Sequence, residues 1–149
     1  MKKFVFTLER MLAYQEQNLE KEKGILGRLT AARDELEEEK REQEARILHI
    51  QDEIARRGTQ GTTAFILKGC YSVLEGARIQ LEETGKELAR ARARVEKQRE
   101  AVTDASKEVK KLEKLKEKQW EEYRHDEAKE QQDLITEHVA GTFVRNGVS

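Results

Sequence analysis

Gly58-Thr59-Gln60-Gly61-Thr62-Thr63 is the stretch on which the fold turns. Its two glycines and three threonines are turn and N-cap chemistry rather than helix interior. The sequence on both sides has a different character. Stepping back from it by alternating fours and threes gives Ile54, Ile50, Ile47, Leu36, Leu29, Leu26, Leu19, Leu12 and Leu8, with Gln43, Lys40, Arg33, Glu22 and Gln15 in the same series. Stepping forward gives Leu67, Cys70, Leu74, Ala77, Leu81, Thr84, Leu88, Ala91, Val95, Gln98, Val102, Ala105, Val109 and Leu112. Both series are heptad seams, which mark helices of a left-handed coiled coil. Two such helices joined by a short turn pack antiparallel. The pattern therefore predicts an all-α fold, a long antiparallel two-helix coiled-coil hairpin. Helix 1 is expected over about 7–57, the turn over about 58–62 and helix 2 over about 63–139. Thr7 is a possible N-cap without a full capping box.

The two seams can be matched, because facing positions of an antiparallel hairpin have a nearly constant residue sum. A sum near 120 or 121 sets Leu8 against Leu112, Leu12 against Val109, Leu19 against Val102, Leu26 against Val95, Ile47 against Leu74 and Ile54 against Leu67. The same register puts Glu22 opposite Gln98, where two polar side chains can share a hydrogen bond. Between Arg33 and Gln43 the first seam weakens, with Arg33, Lys40 and Gln43 facing Leu88, Leu81 and Ala77. Two readings stay open there: long polar stems covering apolar residues, or a loosened stretch offered to a partner. Gly69, Gly76 and Gly85 each cost a helix interior about 1 kcal/mol relative to alanine, which makes this part the least rigid.

Beyond Leu112 the seam becomes Lys116, Gln119, Tyr123, Asp126 and Glu130, and helix 1 has no residues left to face it. At about 1.5 Å per residue, helix 2 would outrun helix 1 as an overhang of roughly 25 residues. That overhang carries Trp120, Tyr123, Leu134 and Ile135. Either a partner covers them, or Phe4 or Phe6 folds back onto Trp120. Residues 140–149, including Gly141 and Phe143, are expected to form a flexible tail.

Composition narrows the function classes. Of 149 residues, 40% are charged and 36% hydrophobic, which is too little apolar material for a thick core. The charges cancel to a net of -1, and periodic Leu, Ile and Val argue for helix over disorder. No proline interrupts the chain. A near-neutral balance disfavours nucleic acid as a partner, and Arg90, Arg92 and Arg94, spaced two apart, form no single stripe on a helix. No apolar stretch approaches the roughly 20 residues that span a bilayer, and the opening Met1-Lys2-Lys3-Phe4-Val5-Phe6 meets charge too soon for a signal peptide. A cytoplasmic protein is expected. Lone Cys70 fits a reducing compartment and reads as a small seam residue.

The residues offer no catalytic constellation. His49, His125 and His138 lack partners at metal-ligand spacing, and Gly58-Thr59-Gln60-Gly61-Thr62 lacks the lysine and preceding strand of a phosphate loop. Glutamates on a thin hairpin have no water-excluded pocket in which to become general acids or bases. No enzymatic activity, cofactor, metal or small-molecule ligand is expected.

Three blocks of the sequence resemble the FliJ family. They are Phe4-Val5-Phe6-Thr7-Leu8-Glu9-Arg10-Met11-Leu12, the glycine turn running through Gly61, Phe65 and Tyr71 to Leu74-Glu75, and Lys111-Leu112-Glu113-Lys114-Leu115-Lys116-Glu117-Lys118-Gln119-Trp120 with the following Glu121 to Ala128. Their order and spacing cover nearly the whole chain. The resemblance implies a flagellar type III export component similar to the central stalk of rotary ATPases. Such a stalk sits in the hexameric flagellar export ATPase, promotes its assembly and activity, links it to the membrane export gate and helps recycle export chaperones. It implies a monomer when alone, at the cytoplasmic face of the membrane. By the same resemblance the ATPase-ring contact falls on Leu8, Leu12, Leu112, Gln119, Trp120 and Tyr123. The gate contact falls on Lys40, Gln43, Ile47, Tyr71, Leu74, Ala77 and Leu81. Several of these also belong to the seam, so core packing is the competing role for Leu8, Leu12, Leu74 and Leu81. Two other functions fit a heptad hairpin: a dimeric coiled-coil scaffold, and a holdase chaperone gripping clients with apolar helix tips.

Overall fold

A computed structural model describes residues 2–147. Its regular elements are two helices, α1 (Glu9–Gln60) and α2 (Ala64–Arg145), packed against each other as an antiparallel hairpin. The turn is tighter than the sequence suggests. Within it Gly61 takes a left-handed conformation (φ 88°), closing α1 as a C-terminal glycine does. Thr63 then caps α2, its Oγ1 accepting the Ile66 N–H at 3.2 Å. Gly58 and Thr59, expected in the turn, complete the last turn of α1 instead. Arg56–Asp52 (2.8 Å) and Arg57–Glu53 (3.1 Å) pairs hold that turn, and the Thr59 hydroxyl donates to the Arg56 carbonyl at 2.9 Å.

The chain divides into two compact units: residues 21–103, and residues up to 20 together with those from 104 on. In the first, the α2 seam is buried at Leu74, Ala77, Thr84, Leu88, Ala91 and Val95, while the facing α1 positions Leu26, Leu29, Leu36, Ile47, Ile50 and Ile54 are half-buried. Ala77, Thr84, Ala91 and Val95 disappear beneath the larger side chains of α1, which in a two-layer hairpin keep one flank in water. The Gln98 amide donates to both the carboxylate and, at 3.0 Å, the backbone carbonyl of Glu22, the polar layer that the register requires. On the outside Arg92 reaches across to Glu37 at 3.3 Å.

That layer makes a measurable demand. Gln98→Leu strands the Glu22 carboxylate in the seam, and is expected to cost about 1–3 kcal/mol in urea unfolding. Adding Glu22→Leu removes the orphan, so the double variant should recover most of the loss.

In the second unit Phe6, Leu12 and Val109 form a buried cluster, with Phe4, Leu8, Leu19 and Leu112 packed against it. Residues 2–6 precede α1 without being helical, and a backbone bond from Glu9 N–H to the Phe6 carbonyl (3.1 Å) turns them into the helix. At the other end α2 continues to Arg145, through most of the segment expected to be a flexible tail. Without proline nothing stops it at Val139, and Gly141 is accommodated as a helical residue. Gly147, at φ 71°, follows the helix end, and its N–H bonds the Val144 carbonyl at 3.2 Å. Val148 and Ser149, the rest of the expected tail, lie outside the described residues.

Candidate interaction site

Trp120 and Tyr123 sit three apart on α2, so they share a helix face and their rings stack at 5.7 Å and 17°. The N-terminal segment crosses them. Phe4 meets Trp120 edge-on at 5.1 Å and Tyr123 at 5.5 Å, and the Tyr123 hydroxyl donates to the Lys2 carbonyl at 2.6 Å. An ion pair from Lys116 to Glu9 (2.8 Å) ties α2 to the first turn of α1 beside them. Of the two phenylalanines able to fold back, Phe4 meets the tryptophan and Phe6 joins the core. Partial burial in this cluster, followed by the charges of Glu127 and Glu130, pushes the Tyr123 phenol above its ordinary range. Trp120 is still 42% exposed, along an open groove of about 570 Å³ lined by Phe4, Leu12, Glu16, Glu113, Lys116, Glu117 and Trp120.

Farther along α2, every residue from Ala128 to Gly141 is exposed. Nevertheless Leu134, Ile135 and Val139 lie there, each more than half exposed, and Phe143 continues the Ile135–Val139 spacing by another four residues. Asp126, Glu130, Asp133 and Glu137, with Lys129, line an open, mostly acidic groove beside Leu134. This is the overhang, a helix with an apolar side and no covering helix among the described residues.

The candidate ring residues thus separate into two groups. Leu8, Leu12 and Leu112 pack in or against the core, whereas Trp120 and Tyr123 form the aromatic face and Gln119 is half-buried next to it. The candidate gate residues are mostly seam. Leu74 and Ala77 are buried, Lys40, Gln43, Ile47 and Leu81 half-buried, and Tyr71 alone among them is exposed. Exposed apolar side chains near the turn are instead Phe65, Ile66, Val73, Ile79 and Leu48. Phe65 and Ile79 are two heptads apart on the face of α2 opposite its seam. They belong to no α1-facing series, which is why a search for seams passes over them.

Gln43 carries the one packing defect of the weak stretch. Its Nε2 donates to Glu39 at 3.4 Å, but its buried Oε1 has no partner. Gln43→Leu is expected to raise stability by about 1 kcal/mol, seen as a higher urea midpoint with unchanged slope. A fall would mean that the amide has a partner.

His49, His125 and His138 are exposed, and the described residues hold no group of three or more side chains placed for a metal. No helix among them is long and apolar enough to cross a membrane. In comparison with known proteins, no curated protein and no solved structure matches. A family model described as Flagellar FliJ protein does match, over residues 3–147. With nearly its whole length inside that match, the chain belongs to the FliJ family of the flagellar export apparatus.

Proposed function

We propose that the chain is the non-enzymatic central stalk of the hexameric flagellar export ATPase. The observation that carries this reading is the uncovered part of α2, where an aromatic pair at Trp120 and Tyr123 leads into a helix exposed all round with Leu134, Ile135 and Val139 on it. A helix of this kind, with apolar side chains in water on one side, is suited to a socket in a partner. The pore of a ring of six subunits provides such a socket for one slender element.

In this reading the ring contact centres on Trp120, Tyr123 and Gln119, with Leu8, Leu12 and Leu112 holding the two helix ends together behind them. Contact with the membrane export gate lies toward the turn, through exposed Tyr71 and the half-buried polar stretch of Lys40 and Gln43, with Ile47, Leu74, Ala77 and Leu81 supporting it. Export chaperones are further partners, and the protein acts in the cytoplasm at the membrane face. The test is ATP hydrolysis by the cognate export ATPase with and without the chain. Stimulation that saturates below one chain per ATPase subunit supports a stalk. Suppressed aggregation of unrelated clients with no effect on the ATPase points to a holdase instead.

A further inference from the structure

We propose that residues 2–6 are a displaceable latch over the Trp120–Tyr123 face, closed in the free chain and opened when a partner side chain takes the place of Phe4. The inference rests on the stalk reading for the identity of that partner, and on this structure for the latch itself. Phe6 is the fixed end, buried against Leu12 and Val109. Beyond it the segment is neither helix nor strand, and Val5 stands 75% exposed. Among the described residues its hold on α2 includes the Phe4 ring against two aromatic rings, the packing of Phe4 on the Phe6, Leu12 and Val109 cluster, and a hydrogen bond to the Lys2 carbonyl.

Contacts of this kind are individually weak, so a competing aromatic or aliphatic side chain can replace Phe4 without disturbing either helix. The groove alongside Phe4 already gives access to the Trp120 ring. Its rim carries Glu16, Glu113 and Glu117 against the single cation Lys116. The occupant that fits is therefore an apolar side chain on a segment bearing lysine or arginine, supplied here by a subunit of the ATPase ring. A latch of this design keeps part of the Trp120–Tyr123 face covered in the free chain until a partner side chain replaces Phe4.

Phe4→Ala in the full chain tests this, because Phe4 lies outside both helices and its loss should leave the helical circular dichroism unchanged. Two readouts are needed: acrylamide quenching of Trp120, the sole tryptophan, and the chain concentration giving half-maximal stimulation of the cognate ATPase. The latch predicts a quenching constant raised about twofold and a half-stimulating concentration lowered about three- to tenfold, the scale of one lost aromatic contact. Unchanged quenching would show that Phe4 does not cover the tryptophan, and overturn the proposal. A higher half-stimulating concentration would make Phe4 part of the contact surface, and overturn it equally. If neither form stimulates while Phe4→Ala still unmasks Trp120, the stalk reading fails and the partner-driven opening fails with it.

Discussion

Leu88→Ala is expected to lower the unfolding free energy by about 2–3 kcal/mol, in the lower part of the range for a fully buried leucine. Leu88 is 2% exposed at the centre of the seam. On one side it borders a groove lined by Glu37, Lys40, Arg41, Glu44 and Arg92, whose flexible stems can close over part of the space the lost isopropyl group leaves. That partial collapse holds the cost below the cost in a rigid globular core. Even so, it is a large fraction of the stability of a hairpin two layers thick. Leu134→Ala, on the exposed overhang, should stay within about 0.5 kcal/mol. Urea unfolding followed by circular dichroism measures both. Equal effects at the two positions would contradict the assignment of one to the seam and the other to an uncovered helix.

Removing the aromatic face should have the opposite profile, with little change in helicity and a large change in partner binding. Trp120→Ala, Tyr123→Ala deletes both stacked rings and the aromatic contacts that Phe4 makes with them. One aromatic anchor of this size at an interface is worth about 2 kcal/mol or more, and stacked neighbours are not additive, so the half-stimulating concentration should rise at least about thirtyfold. This inverts the direction expected for Phe4→Ala, so the two variants together separate the docking face from its cover. Undiminished stimulation by the double variant would move the ring contact elsewhere, the distal Leu134, Ile135 and Val139 being the next surface to change.

The seams were legible because period and burial coincide along almost their entire length. All the positions stepped out from the turn are buried or half-buried, including the polar Gln15, Glu22, Arg33, Lys40 and Gln43. The Glu22–Gln98 layer, deduced from a residue sum, is a hydrogen-bonded pair. Helix ends were less legible. Two glycines three apart look alike in sequence, but Gly61 breaks the helix while Gly58 lies inside α1, where i, i+4 ion pairs span the last turn. Gly141 likewise looks like the start of a tail and sits in the helix.

The candidate interaction surface was half legible. Composition and position single out Trp120 and Tyr123 on a helix with no facing seam. Nothing in a heptad count says which of Phe4 and Phe6 would reach them, since the connecting segment is not periodic. Toward the turn, carrying residues over from a family resemblance selects seam positions such as Leu74 and Ala77, whereas surface chemistry there belongs to Phe65, Ile79 and Tyr71. A side chain that faces its own partner helix cannot face a second protein without the hairpin opening.

Light scattering of the mixture of the chain with its cognate export ATPase, under conditions that favour the ring, tests the central claim most directly. A stalk predicts a complex with the mass of six ATPase subunits and one copy of the chain, unchanged when the chain is in excess. A complex with one copy of the chain on every ATPase subunit, or no complex at all, would contradict it.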